Sequence, residues 1–277
     1  MGIFDFLKKS TPPPAGGGAA PVDRKVAGPG KVAGDKRAQT YDRIEAIQAL
    51  AAMRTADAAV ALLKRFTFSI DPSITDQEEK DLAFQGIIAA GRGEVAKLPK
   101  DEKEREKALA DAQAKKDQVI DSVREFCAKA EQLTWPLKVL RELLDDEEFV
   151  AEVAELLERF DTEYARNVEP KVQLIMALED VVAEEAREAV LPFLEDVNET
   201  VRFHAVQTTF AQGEASCVPA LVKLLEAEES VRVKNKVAEG LLQRGWSVPS
   251  ELSDKTREAL RDTEIYTLDK TGKVQKR

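Results

Sequence analysis

Histidine, the side chain best suited to general acid–base chemistry at neutral pH, occurs once in the chain, at position 204. A histidine acting as a general base needs a nucleophile within hydrogen-bond reach and a carboxylate that orients its ring. The sequence around His204, RFHAV, supplies neither in a recognisable pattern. We therefore expect His204 to pack at the margin of a helix or to face solvent, and we assign no catalytic residue.

Acidic residues are the second group that could support chemistry, and they form pairs or short runs at 145–148, 184–185 and 228–229. Carboxylate metal sites need convergent ligands, usually with histidine or in the DxDxDG pattern of a calcium loop. Neither a histidine nor a DxDxDG pattern accompanies these residues. The chain also lacks the phosphate-binding motifs GxxxxGK[ST] and GxGxxG and the nucleophile motif GxSxG. We predict no metal, no cofactor and no enzymatic activity, and we interpret the acidic pairs as helix starts and solvated turns.

The two cysteines, Cys127 and Cys217, have no CxxC partner and lie inside apolar helical patterns. This usage predicts buried thiols in a reducing compartment. No apolar run approaches the ~20 residues that span a bilayer. The first residues, MGIFDFLKK, lack the apolar core of a secretory signal. We therefore expect a cytoplasmic location, and the style of the N-terminal segment suggests a bacterial protein.

Charge is unevenly distributed along the chain, whose formal net charge is −10. Residues 1–39 contain seven Lys or Arg and three Asp, which is +4 and leaves −14 for the remainder. A folded body this acidic is a poor match for the phosphate backbone of DNA or RNA. We expect no nucleic-acid partner.

The segment 1–39 is rich in proline and glycine, and we predict a disordered, basic arm. Its tip carries Phe4, Phe6 and Leu7, with Ile3, Phe4 and Leu7 on one side of a helical turn. These residues are candidates for docking in a partner's groove or for weak contact with a membrane surface.

From residue 40 onward the apolar residues follow a helical period, and one helical pattern recurs 32 residues later. VRFHAVQTTFAQG at 201–213 is echoed by VKNKVAEGLLQRG at 233–245, which aligns Val201 with Val233 and Gly213 with Gly245. The pattern of a helix, a tight turn and a second helix occurs four times, at 41–66, 169–195, 198–226 and 228–262.

Three segments depart from this pattern. One is 147–168, where a clear helix is followed by residues with little apolar periodicity, which predicts a unit with a degenerate second half. A charged run at about 92–118 precedes apolar residues spaced three and four apart, which predicts one helix from about 100 to 133 that protrudes at its charged start. Dimerisation of this helix as a coiled coil is an alternative, although its apolar part spans few heptads. Residues 263–277 lose the helical period and are predicted to form a basic tail, so the helical array covers 40–262.

A single helical hairpin of about 30 residues cannot close a core, whereas stacked copies bury a continuous one. The recurrence therefore predicts an all-α protein, an α-solenoid of stacked helical hairpins. The alternative is an ordinary helical bundle with similar helices.

The segment 198-NETVRFHAVQTTFAQGEASCVPALVKLL-225 carries an acidic turn, Val-Arg, small residues and a leucine-rich second helix. In this it resembles HEAT-like repeats, in particular the short repeats of phycobilisome lyases. The resemblance implies a right-handed solenoid in which Arg124, Arg202 and Arg232 join neighbouring repeats through acidic turn residues. It also implies a non-enzymatic scaffold or adaptor for a protein partner, with a bilin lyase or lyase-like chaperone subunit as the alternative.

Second helices of such an array face a partner, and we predict an outward, mixed-charge surface on them. Its candidate residues are Lys64, Lys138, Arg141, Lys223 and Arg257. Trp246 lies at a junction between helical units, where an exposed tryptophan would be a binding hot spot. We expect the protein to be a monomer.

Overall fold

A computed structural model describes residues 24–92 and 99–277. Within these ranges the chain is mostly helical, with 13 α-helices and one two-stranded β-hairpin. The helices are α1 Arg24–Ala33, α2 Thr40–Met53, α3 Ala56–Leu63, α4 Ser73–Gly91, α5 Glu102–Cys127, α6 Thr134–Leu143, α7 Asp146–Leu157, α8 Glu169–Ala177, α9 Glu184–Val190, α10 Glu199–Ala211, α11 Val218–Ala227, α12 Val231–Arg244 and α13 Ser253–Ala259. The strands are β1 Tyr266–Leu268 and β2 Val274–Lys276, paired antiparallel.

Polar residues in the turns begin several of these helices by accepting hydrogen bonds from backbone N–H groups that have no partner within the helix. Asp145 accepts from the Glu148 N–H, and the Glu148 side chain reaches back to the Asp145 N–H, which forms a capping box. Thr55, Asp101, Asn198 and Ser230 cap α3, α5, α10 and α12. The polar turns thus set the boundaries between successive helices.

The helices alternate between two rows. The even row consists of α2, α4, α6, α8, α10 and α12, which contact one another in chain order. The odd row consists of α1, α3, α5, α7, α9, α11 and α13; α5 reaches α7 through the Arg124–Glu152 ion pair, and α11 reaches α9 through the 3-10 segment Leu191–Glu195. Apolar side chains from both rows form a continuous cluster between them, so each helix buries its inner face against the opposite row.

Helix α1 corrects the prediction that the disordered arm extends to residue 39. Val26, Gly30 and Ala33 are buried and pack on α2 and α3. A Cβ atom built on Gly30 would lie 3.0 Å from the Cβ of Ala61, so the small residue permits close helix contact. Glycine and proline content indicated disorder, but the small residues also form a face that fits α3. The tip residues Phe4, Phe6 and Leu7 lie outside the described residues.

The C-terminal segment is folded, which corrects the prediction of a basic tail. Strands β1 and β2 form a hairpin, and Val248 donates a backbone hydrogen bond of 2.7 Å to the Gly272 carbonyl. Gly272 has φ +79°, and a Cβ there would meet the Val248 carbonyl at 2.5 Å. Leu268 and Val274 are buried, so the hairpin extends the apolar core beyond α13.

Helix α5 follows the predicted long charged helix in outline. It runs from Glu102 to Cys127, ending six residues before the predicted limit of 133. Its first part is largely exposed, and its buried face begins at Val119 and continues through Val123 to Cys127. None of the helices in the described part of the chain is both long and apolar enough to cross a membrane.

Candidate partner-binding surface

Arg202 and Glu228 form a bidentate ion pair between α10 and the turn before α12. The Arg202 Nε and Nη2 atoms donate to the two carboxylate oxygens of Glu228, each at 2.7 Å. Burial raises the pKa of Glu228, but hydrogen bonds from Arg202 and from the Ser230 and Glu229 N–H groups outweigh it and leave that pKa lowered. The pair is therefore charged and joins one helical hairpin to the next.

Equivalent contacts recur along the chain, and we call the set the cation ladder. In each of them a cationic side chain pairs with an acidic side chain 25–36 residues later. The pairs are Arg43–Glu79 at 2.9 Å, Arg124–Glu152 at 2.6 Å, Lys171–Asp196 at 2.6 Å, Arg202–Glu228 at 2.7 Å and Lys234–Asp262 at 2.5 Å. Arg124 and Arg202 thus make the inter-unit contact that the resemblance implied.

Arg232 makes the predicted contact with an acidic turn residue of the neighbouring unit, Glu199, but it points to the preceding unit and is not part of the cation ladder. Its guanidinium is exposed, lies 3.8 Å from the centroid of the Phe203 ring and reaches back to Glu199 at 3.1 Å. Lys234 makes the forward contact instead. The residue equivalent to Arg202 in the next unit can be found in two ways. The 32-residue spacing between units gives position 234, whereas the Val-Arg motif gives position 232.

The Arg43–Glu79 pair of the cation ladder belongs to a cluster of five buried charged residues, which we call the five-charge cluster. Its members are Arg43, Arg65, Asp76, Glu79 and Lys80. Glu79 accepts hydrogen bonds from Arg43 and, at 2.6 Å, from Arg65. Asp76 accepts from Arg65 and Lys80, each at 2.7 Å. Burial raises the pKa of Asp76, but the bonds from Lys80 and Arg65 bring it below the usual value. Sequence reasoning missed this cluster, because its members have no common spacing.

Three grooves on the outside of the odd row are rich in acidic side chains. The α7–α9 groove, about 580 Å³, has an apolar floor that includes Leu157, Phe160 and Phe193. Its ionisable lining residues are all acidic and exposed: Glu158, Asp161, Glu185 and Glu188. This groove presents negative charge around an apolar base.

The two neighbouring grooves repeat the acidic excess. The α5–α7 groove, about 420 Å³, places one cation, Arg124, among the acids Asp117, Asp121, Glu148, Glu152 and Glu155. The α9–α11 groove, about 480 Å³, lies between α11 and the 3-10 segment Leu191–Glu195 that follows α9. It includes the cations Arg202 and Lys223 with the acids Glu195, Asp196, Glu228 and Glu229. We call these three sites the acidic grooves; together they follow α5, α7, α9 and α11 along the odd row.

A fourth groove lies between α3 and α5 and differs from the acidic grooves. It measures about 590 Å³, and its apolar lining includes Val60, Leu63, Phe66, Phe126 and Ala130. Charges of both signs stand at its rim: Lys64, Lys129, Glu125 and Glu131. The predicted binding residue Lys64 belongs to this α3–α5 groove.

Lys138 and Arg141 lie on the other side of the molecule, in the even row, because α6 contacts α4 and α8. They line a small groove of about 240 Å³ between α6 and α8. The Lys138 ammonium lies 4.5 Å from the centroid of Trp135, and Arg141 lies over Phe149 and pairs with Asp146 at 2.7 Å. The prediction that they share a face with Lys64 and Lys223 is therefore wrong.

The remaining predicted residues are separate from one another. Lys223 pairs with Glu195 at the α9–α11 groove. Arg257 on α13 is half-buried and bonds Asp254 and the Asp269 carbonyl. Trp246 is half-buried and stacks on Phe210 with centroids 5.6 Å apart, so its ring packs against the core.

His204 and the cysteines have surroundings that disfavour their ionised forms. Burial, followed by the nearby charge of Arg232, lowers the pKa of His204, whose Nδ1 is buried without a hydrogen-bond partner. Burial raises the pKa of Cys127 to about 12 and also raises that of Cys217. Among the described residues, no group of three or more His, Cys, Asp or Glu side chains has a metal-binding arrangement.

The chain matches no protein-family model. No curated protein sequence matches it either.

Proposed function

We propose that this protein is a scaffold or adaptor, a right-handed α-solenoid of HEAT-like repeats without enzymatic activity that binds a protein partner. Two features support the solenoid: the helices alternate between two rows, and the cation ladder joins successive hairpins. Arrays of this kind offer extended surfaces that suit protein binding. The proposal includes a cytoplasmic location, supported by two unpaired, buried thiols.

The observation that carries the proposal is the α7–α9 groove, whose four ionisable lining residues are all acidic. Complementary charge steers a partner to a surface and fixes its register. The mixed-charge partner expected from sequence is therefore replaced by a basic one. Lys and Arg side chains combine an apolar stem with a charged head. The stem suits the apolar floor beside Phe160 and Phe193, and the head suits Glu185 and Glu188 at the rim. We infer a polypeptide segment rich in Lys or Arg.

The test compares two double variants that remove the same charge. Glu185→Gln/Glu188→Gln removes two of the four negative charges of the α7–α9 groove. Glu45→Gln/Glu78→Gln removes two exposed glutamates of the even row as a matched control. The probe is a fluorescein-labelled Lys/Ser peptide, followed by fluorescence anisotropy at low and high salt. We expect the groove variant to raise Kd by about tenfold, since two exposed ion pairs contribute about 1.4 kcal/mol together. The control is expected to bind like the parent protein.

Equal weakening in both variants would show that net charge, and not the groove, attracts the peptide. Undiminished binding by the groove variant would refute the proposed surface. Crosslinking in native lysate with the same proteins then identifies the partner, which is expected to contact the parent protein and the control through a basic segment.

A further inference from the structure

The α3–α5 groove has a more extensive apolar lining than the acidic grooves. Its apolar wall is open, since Val60 is 43% exposed and Phe126 is half-buried. Its volume of about 590 Å³ falls within the range of about 300–1,000 Å³ typical of ligand pockets. An open apolar groove of this size favours a short segment with several large apolar side chains.

We propose that the groove binds the N-terminal tip of the same chain, residues 3–7, with sequence IFDFL. Ile3, Phe4, Phe6 and Leu7 supply four large apolar side chains within five residues. The next large apolar residue of the chain is Val22, so the tip is set apart from the fold by a stretch of small and polar residues. The proposal concerns a site separate from the acidic grooves and does not rest on the scaffold function.

The position of α1 brings the tip to this groove. The chain enters the described structure at Arg24, and α1 packs against α3 and the 3-10 segment Lys64–Thr67, which form one wall of the groove. The connecting residues, 8–23, number sixteen. Sixteen residues reach at most about 53–58 Å when fully extended, and a helix with side chains is about 10–12 Å wide. The tether is therefore long enough to pass over α3.

Charge complementarity sets the direction of the tip in the groove. The apolar residues of the tip are interrupted by Asp5 and followed by Lys8 and Lys9. The rim of the groove offers Lys64 and Lys129 to Asp5, and Glu125 and Glu131 to the two lysines. Tethering holds the tip at an effective concentration of about 1 mM or more. At this concentration, the tip occupies the groove of its own molecule most of the time even when its affinity for the groove is weak.

The experiment uses the full chain with the photocrosslinking residue p-benzoylphenylalanine in place of Phe4. We expect ultraviolet light to link the tip to residues 60–67 or 122–132 within a monomer, as mapped by mass spectrometry. Val60→Glu places a carboxylate in the groove and is expected to reduce this crosslink by about tenfold, because an unpaired charge resists burial. Val182→Glu is the matched control, since Val182 is 70% exposed and does not line this groove. It should leave the crosslink unchanged.

Other results would overturn the proposal. Crosslinks between isotopically light and heavy copies would show that the tip binds a second copy of the chain. Crosslinks elsewhere on the same chain, or a yield that Val60→Glu does not reduce, would exclude the groove. A tip that binds phosphatidylglycerol vesicles and forms no crosslink to residues 60–67 or 122–132 would assign it to membranes.

Discussion

Glu79 holds two guanidinium groups that are both out of contact with solvent. Its oxygens accept hydrogen bonds from Arg43 and Arg65, and its side chain is fully buried. Buried charges are stable only when each has a partner, so the five-charge cluster is most sensitive to the loss of a carboxylate. In the Arg202–Glu228 pair of the ladder, by contrast, Arg202 retains partial contact with solvent.

We predict that Glu79→Gln lowers the free energy of unfolding by about 3–5 kcal/mol, because it leaves Arg43 without a counter-charge and leaves Arg65 with only Asp76, which Lys80 shares. Urea denaturation followed by circular dichroism measures the change. The neighbouring variant Glu78→Gln is the control, since Glu78 is exposed and should change stability by less than about 0.5 kcal/mol. Equal effects from the two substitutions would contradict the structural importance of the cluster.

Acidification should destabilise the fold through Asp76 and Glu228. Both have pKa values below their ordinary ones in the folded protein, with hydrogen bonds from cationic side chains outweighing burial. Such groups stabilise the fold fully above their unfolded-state pKa of about 4, and that contribution disappears as the pH falls through the lowered, folded-state pKa. We expect the free energy of unfolding to decrease below about pH 4, and Glu228→Gln to flatten part of this decrease in urea titrations. An unchanged pH profile in that variant would exclude Glu228 as a source.

Sequence reasoning found some ladder residues and missed others for a physical reason. Arg202 stands in a recognisable motif beside an acidic turn, so its contact was predictable. Lys234 was predictable from the 32-residue register, but the nearby Val-Arg motif pointed to Arg232. Glu79 follows Arg43 by 36 residues and Arg65 by 14, and no periodic pattern connects the three.

Helix contacts in the even row depend on small residues where two helices approach closely. At Gly240 on α12, an added Cβ would lie 2.2–2.5 Å from ring atoms of Phe210 on α10. That ring is also stacked on Trp246, so it has little freedom to move away. The 32-residue repeat in the sequence indicated that the two helices are equivalent units. It did not reveal this contact, because Gly240 and Phe210 occupy different positions in the two copies.

We predict that Gly240→Ala destabilises the protein by about 1–3 kcal/mol, since overpacking forces a shift of the Phe210 ring. In a Phe210→Leu background the same substitution should be less harmful, because the ring atoms that would clash are absent. Thermal unfolding of the two single variants and the double variant measures the coupling. Additive effects would contradict the proposed contact. Gln243→Ala, an exposed change on the same helix, is the control and is expected to be nearly neutral.

At the scale of the whole molecule, the two ends of the helical rows are covered differently. Helix α1 covers the first hairpin with Val26, Gly30 and Ala33, and the β-hairpin covers the last helices with Leu268 and Val274. Helical content and hairpin boundaries followed from periodicity and turn residues. Neither end was predicted, since each is stabilised by contacts with distant residues and not by its own helical or apolar pattern.

We predict that a truncated protein beginning at residue 40 unfolds at lower urea concentration than one beginning at residue 24. The shorter form loses α1 and exposes the face of α3 around Ala61. Matched denaturation curves of the two forms and the full chain provide the measurement. Identical midpoints for the two truncated forms would show that α1 contributes nothing to the fold.

The cation ladder and the hairpin register also constrain how this gene can change length. Lys171, Arg202 and Lys234 are spaced 31 and 32 residues apart, and each bonds an acid in the turn that follows its own hairpin. A recombination event that adds or deletes one whole hairpin in this region preserves the ion pairs of the remaining hairpins. A smaller insertion within a hairpin separates the two partners of its ion pair. Descendants of this gene are therefore expected to differ by whole hairpins in the interior, while both covered ends are inherited intact.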